Sequence, residues 1–446
     1  MAETRKLVVR NAVIVTCDRE ETVIDDGAMV VEGRDIVWVG ASADLPDDMA
    51  AGADREIDAT GRILMPGLIN MHAHCGDSLF RGLVEDLPLE EWLQTVWKAE
   101  AAILGNPDDC RLGTALGFAE LLLGGVTTVM DMFWHADQSF AAAQEIGIRL
   151  ASGAIFFDPP GMDGFGPEHR REQAEALFDR HGDDDEMFVG TMPHGTYTVA
   201  PKGIHEALDL ARERGGFFCT HAAETRAEQE TIRKQYASSV IGHLSAMGAL
   251  SPRTVLAHCV HVDCDEMELL ARTGTHVVHN PMSNLKLASG IAPVPEMLMR
   301  GVSLCLGTDG PISGNDMDMW LAMRLAATLH KGVREDATAM PVGEVLQMAT
   351  INGARALAAE SWLGSITPGK RADFILLDIT GPHAAPIFDP INHVVFAAGR
   401  GDVRDVFVSG RQVVRDRQLL TMDVDELVAG VRALQPRIRA ALEDGA

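Results

Sequence analysis

A chain of 446 residues is long enough for one large core plus a smaller second unit, and so for a site closed off from water. Its 65 acidic against 38 basic side chains give a formal charge of −27, which repels phosphate backbones and anionic lipid headgroups, and no Lys/Arg cluster set among aromatics reverses this locally. Nucleic acid and membranes are excluded as partners, since no apolar run also approaches the length that spans a bilayer. Seven cysteines at 17, 75, 110, 219, 259, 264 and 305, without a C-x-x-C pair, read as reduced core thiols. The stretch Leu7 to Val15 is too short and interrupted for a signal peptide, so the expected location is the cytoplasm.

Residues 7 to 63 hold short alternating runs, Leu7 to Thr16, Gly27 to Glu32, Asp35 to Val39 and Glu56 to Asp58, which predict a small β-sheet unit. The pattern returns in Ala372 to Asp378, Val394 to Ala397, and Val403 to Val414 with Gly410 at a hairpin turn. Both ends are expected to pair into one discontinuous β-sandwich, residues 1–62 and 367–446, the latter including a C-terminal helix.

Between them, over 63–366, strand and helix alternate. The apolar run Pro66 to Met71 opens the series, followed by strands Val126 to Met132, Arg149 to Phe157, Met187 to Pro193, Gly216 to Thr220, Thr254 to Ala257, His276 to Val278 and Val302 to Gly307. Helical segments separate them: Glu90 to Trp97, a second capped by Asn106-Pro107 and stopped by Gly124-Gly125, then Ala136 to Glu145, Lys202 to Arg214, Asp263 to Arg272 and Pro293 to Arg300. Eight strands in this rhythm predict an α/β fold, a parallel (β/α)8 barrel, whose sites lie at the carboxyl ends of its strands. Gly161 to Gly166 reads as a loop insertion.

Polar, metal-competent side chains fall at those ends. His72 and His74 are two apart on a strand and so share one face, which lets both reach a single ion. The strands ending at Thr220, Ala257, Val278 and Thr308 run into His221, His258, His279 and Asp309. Any one of these alone is explained by a satisfied loop side chain; a barrel that gathers strand ends around one mouth explains the set.

The sequence resembles the amidohydrolase superfamily, and within it the deaminases of methylthioadenosine and S-adenosylhomocysteine. The matching stretches are Pro66-Gly67-Leu68-Ile69-Asn70 with His72-Ala73-His74, Leu79 through Pro88 to Leu93, Pro193-His194, and His221-Ala222-Ala223-Glu224. They continue with Ala257 to His261, Asn280 to Leu287, Gly307 to Gly310, and Pro368 to Asp373. The resemblance implies that His72, His74, His221 and Asp309 bind one divalent metal per chain, zinc or iron. It implies that Glu224 is the proton shuttle, that Asp309 takes a further proton, and that His258 bonds the attacking oxygen or the leaving group. His194 is implied to contact a purine and Glu100 to hold ribose hydroxyls, with Glu224 and His258 also facing the substrate.

The implied activity is hydrolytic deamination of an amino-substituted nitrogen heterocycle, with methylthioadenosine, S-adenosylhomocysteine and adenosine foremost. Departures at Ala154, Gly195-Thr196-Tyr197 and Trp320 to Arg324 leave s-triazine chloro- or aminohydrolysis open, as does a barrel that has lost catalysis and serves as a binding scaffold. The resemblance also implies a homodimer or homotetramer, for which the Trp92/Trp97 face is a candidate contact.

Overall fold

The computed structural model describes residues 6–87 and 89–443, so Pro88 of the quoted motif lies outside the described residues. Contacts divide the chain into two compact units, Met1–Asn70 with Ala119–Thr128 and Asp318–Met422, and Met71–Phe118 with Val129–Met317 and Asp423–Ala446.

The first unit is built on a nine-stranded mixed sheet in which both chain ends take part. The join is the antiparallel pairing of Arg62–Pro66 with Phe374–Asp378, Phe374 opposite Pro66 and Asp378 opposite Arg62. Alternation in these strands sends one set of side chains inward, and the expected sandwich is a single sheet folded over one apolar cluster. That cluster includes Val9, Ile14, Met29, Val31, Leu64, Phe374 and Phe407, the two phenylalanine rings stacked at 4.3 Å. Gly410 makes the expected hairpin turn with φ +74°, between Val403–Val408 and Arg411–Arg415.

One expected strand is wrong. Val394 to Ala397 belongs to a helix, Pro390–Phe396, because the Asp389 side chain accepts from the Ile391 and Asn392 amides and Pro390 sits in the first turn. An N-cap followed by proline nucleates a helix that the β-branched pair Val394-Val395 cannot override once its face is buried.

The other sheet is an eight-stranded parallel barrel. Its strands are Leu68–Ala73, Val126–Asp131, Arg149–Phe156, Met187–Pro193, Phe217–Ala222, Thr254–His258, His276–His279 and Ser303–Leu306. The eight predicted strands are these eight, with ends shifted by a residue or two. The opening apolar run divides at Gly67, its first part pairing in the mixed sheet and its second in the barrel. The last strand closes on the first through a bridge between Ala73 and Asp309, supported by the Thr308 and Asp309 amides donating to the His72 carbonyl.

Helix Pro107–Leu123 begins where expected, the Asn106 side chain accepting from the Asp108 amide. It presses on the segment after His74. A Cβ on Gly113 would stand 2.6 Å from the Gly76 carbonyl oxygen, and one on Gly117 2.7 Å from that of Cys75, so only glycine permits this approach. The C-terminal helix, Val424–Glu443, packs on helix Leu89–Ile103, and Arg437 pairs with Asp109 at 2.8 Å. The Gly161 to Gly166 loop is pinned by buried Arg170, which pairs with Asp163. Six of the seven cysteines are buried free thiols as expected; Cys264 is the exposed exception.

Candidate active site

The strand ends bring His72, His74, His221 and Asp309 to one point. Asp309 Oδ1 lies 3.4 Å from His72 Nε2 and 3.2 Å from His74 Nε2, and His74 Nε2 lies 3.2 Å from His221 Nε2. His74 donates its Nδ1–H to the Met132 carbonyl at 2.7 Å, and His221 its own to the His194 carbonyl at 2.6 Å. Both therefore turn Nε2 lone pairs toward each other, an arrangement that repels unless a cation lies between them.

Two tests say that a metal fits. Ligands at about 2.0–2.1 Å from a tetrahedral ion are about 3.3 Å from one another, and the His72–Asp309, His74–Asp309 and His74–His221 pairs have that spacing, at 3.4, 3.2 and 3.2 Å. Two of the imidazoles suit as they stand, since burial holds His72 down at about 4 and His221 well below its ordinary value; burial would lower His74 too, but the Asp309 carboxylate beside it outweighs this and raises it to about 9, so this ring carries a proton that an ion would displace. Burial would raise Asp309, but bonds from His72 and His74 outweigh it and keep the carboxyl well below its usual range. Its second oxygen is taken by the Ser283 hydroxyl at 2.5 Å, so Oδ1 is the one left to face the ion.

Glu224 and His258 stand on the pocket side of this cluster. Glu224 Oε1 accepts from Ser289 Oγ at 3.1 Å, and Oε2 is 4.0 Å from His258 Nε2. His258 donates Nδ1–H to Asn284 Oδ1 at 2.8 Å, which leaves the Nε2 lone pair facing the pocket. The backbone here is forced: Ala223, His258 and Asp309 have φ of +53°, +74° and +62°, left-handed conformations that side chains other than glycine rarely adopt.

Pocket walls run from this centre to an aromatic face of Trp92, Trp97, Trp134, Phe157 and Tyr197. Trp92 is buried within the chain and Trp97 is half-buried, and both line the pocket. His194 projects into the same pocket, fixed by Thr198 Oγ1 at 2.9 Å, and burial depresses it to about 3. Glu100 lines the far side against Asp77, and burial pushes it up to about 7 and Asp77 well above the carboxylate range. Two buried carboxyls this close cannot both ionise freely; a shared proton lies between them, and their remaining oxygens are acceptors.

All eight sequence-assigned residues thus line or support one pocket. His279, also noted at a strand end, is buried in the barrel and does not line it. Asp77, Ser283, Asn284, Ser289 and Glu228 were missed. Ser283, Asn284 and Ser289 sit in or beside the quoted Asn280 to Leu287 stretch without an assigned role, and Glu228 carried a signal as the acid of a Thr-x-x-Glu helix start. Behind the cluster, Asp131 accepts from the Cys75 amide at 2.7 Å and fixes the turn that follows His74.

The sequence matches the amidohydrolase family over residues 63–413. It is 40% identical over 435 residues to a 5-methylthioadenosine/S-adenosylhomocysteine deaminase of Syntrophobacter fumaroxidans, with 97% of this chain and 98% of that one covered. The structure is similar to that of a zinc-bound adenosine deaminase of Xanthomonas campestris, with a TM-score of 0.94, 34% identity, and 97% and 98% of the two chains covered. It is also similar to that of a zinc-bound atrazine chlorohydrolase of Arthrobacter aurescens, with a TM-score of 0.90, 25% identity, and 96% and 99% covered. A match over that much of the chain, on a barrel whose strand ends converge in this way, makes the chain a member of the amidohydrolase family.

Proposed function

We propose that this chain is a hydrolytic deaminase of adenine nucleosides, a hydrolase acting on the C–N bond of a cyclic amidine with methylthioadenosine, S-adenosylhomocysteine and adenosine as its substrate class. The observation that carries the reading is the pairing of Glu224 and His258 beside the contacts that link His72, His74, His221 and Asp309, within one pocket that also holds His194 and Glu100. The names of the 40% and 34% identical relatives point to the same substrates.

His72, His74, His221 and Asp309 would hold one divalent ion, zinc being favoured because it is bound in both similar structures. When bound, such an ion lowers the pKa of a coordinated water from 15.7 to about 7. Glu224 takes the proton that the attacking water loses and delivers it to ring N1, which leaves C6 open to the oxygen. His258 accepts a hydrogen bond from that oxygen through Nε2, its orientation set by Asn284. Asp309 receives the remaining hydroxyl proton and returns it to the amine, which departs as ammonia. Glu100 with Asp77 accepts from the ribose hydroxyls, while Trp97, Phe157 and His194 close the pocket against water.

The reading includes a homo-oligomer and a cytoplasmic location. The first rests on the likeness to barrels of this kind and is checked by sedimentation at micromolar concentration. The second is supported by seven free cysteines and by the absence, among the described residues, of a helix long and apolar enough to cross a membrane.

The test of the activity is ammonia release from the purified, metal-loaded protein across adenosine, methylthioadenosine, S-adenosylhomocysteine, adenine and aminotriazines. Release from the nucleosides is expected. Release only from triazines would replace this reading with triazine aminohydrolysis.

A further inference from the structure

The turn that carries Glu224 is held from behind by a second carboxylate that no step of the chemistry uses. Glu228 is only 6% exposed, one helical turn further on, and its Oε2 accepts from the Glu224 amide at 2.8 Å. Its other oxygen, Oε1, accepts from Thr196 Oγ1 at 3.2 Å. Thr196 follows two residues after His194, so one buried carboxylate ties the purine-side segment to the shuttle turn.

A Thr-x-x-Glu helix start satisfies part of this geometry in the ordinary way: Thr225 caps the helix by accepting from the Glu228 amide at 3.1 Å. The glutamate of an ordinary capping box returns to the cap residue's own amide. Here it reaches one residue beyond, to the Glu224 amide, which belongs to the peptide that follows Ala223, the residue held at φ +53°. The carboxylate therefore stabilises the left-handed kink that turns the Glu224 side chain into the pocket, where Ser289 takes one of its oxygens.

Taking the deaminase reading as its basis, we infer that Glu228 is a positioning residue for the proton shuttle: it acts on catalysis only through Glu224, by fixing the Ala223–Glu224 turn and its link to Thr196. Glutamine can do the same work, because its amide oxygen accepts from the Glu224 amide and its NH2 donates to Thr196 Oγ1, whose hydroxyl hydrogen rotates away. Alanine cannot.

The experiment is a double-mutant cycle on the metal-loaded enzyme. Glu228→Ala is expected to lower kcat about 10²-fold, the scale of an ångström-sized misplacement of a catalytic group, with KM and metal content little changed. Glu228→Gln is expected to restore most of that loss. In the Glu224→Gln background, Glu228→Ala should cost almost nothing more, since the group it positions is already disabled. An equal loss in both backgrounds would overturn the inference, because a residue that merely stabilises the fold affects both alike. Amide hydrogen exchange supplies a readout without substrate: the Glu224 amide should exchange faster in Glu228→Ala and not in Glu228→Gln, and unchanged protection in both would also overturn it. If the wild-type protein deaminates no adenine nucleoside, the functional reading fails by itself, while the exchange result still decides whether Glu228 holds the turn. Should Glu228→Ala not fold, Thr196→Val, which removes one hydroxyl from the carboxylate, is expected to show a smaller kcat loss of the same kind, and no loss would count against the inference.

Discussion

Replacing Glu224 with glutamine isolates proton transfer from everything else the pocket does. Glutamine keeps the length of the side chain and an oxygen that accepts from Ser289 Oγ, now 3.1 Å from Glu224 Oε1, so the group stays in place. What it loses is the basic oxygen 4.0 Å from His258 Nε2, on the side where water must be deprotonated. The proposed cycle uses that oxygen twice, to take a proton from water and to give it to the ring. General acid-base steps contribute about 10²–10⁴ each, so a fall in kcat of about 10⁴ is expected, or about 5 kcal/mol at 1.36 kcal/mol per tenfold. KM should change little, since the loss is confined to the transition state. The assay is ammonia release at saturating nucleoside, run beside elemental analysis for bound metal. Intact metal with turnover within tenfold of wild type would refute the mechanism, and loss of metal would move Glu224 among the ligands.

Removing a ligand should act on metal and activity together: His72→Ala or Asp309→Ala is expected to lower metal content from one equivalent per chain with a matching loss of turnover, and two tightly bound equivalents in the wild type would contradict a single-ion site. Stability should fall in acid partly through His330, which burial holds down at about 4. Because its folded pKa lies below its unfolded value of about 6.5, the contribution is fully present above pH 6.5 and is lost as pH falls toward 4; urea denaturation of wild type and His330→Gln at pH 7 and pH 5 should show a flatter pH dependence in the variant.

The metal donors were legible because the signal is periodic. Strand alternation puts His72 and His74 on one face, and a parallel barrel leaves no other place for the ends of eight strands to go. The supporting groups carry no such period. Ser289 meets Glu224 across 65 positions and Thr196 meets Glu228 across 32, so only the closed barrel shows which hydroxyl faces which carboxylate. Asp77 was hidden for the same reason: alone it is an acid after a histidine pair, and its meaning comes from Glu100 beside it in the pocket. The Trp92/Trp97 spacing correctly marked a buried helix face but could not say what covers it, which proved to be the pocket itself. At Val394 to Ala397 a side-chain preference for strand lost to a local cap, Asp389 with Pro390, whose hydrogen bonds are made within the segment and need no sheet partner.

The left-handed residues at the strand ends link this geometry to its cost. A residue other than glycine held at positive φ is disfavoured by about 1–2 kcal/mol, and Ala223 is held there by the Glu228 carboxylate, which accepts from the next amide, that of Glu224, and by the His261 amide, which donates to the Ala223 carbonyl at 2.9 Å. If only fold stability were at stake, glycine would suit this position better. Ala223→Gly removes the steric cost but adds about 0.5–1 kcal/mol of backbone entropy lost on folding, so the two nearly cancel and the melting temperature should move by only a few degrees in either direction. Catalysis should not be indifferent. Glycine can leave the kink, and the residue it frees is the one immediately before the shuttle, so kcat is expected to fall about tenfold while KM and metal content hold, a loss well below the ångström-scale limit because Ser289 and Glu228 still restrain Glu224 from either side. Unchanged kcat would mean that the strain at Ala223 is an incidental feature of the strand end, and a large drop in melting temperature would mean that alanine's methyl group is needed for packing in its fully buried site.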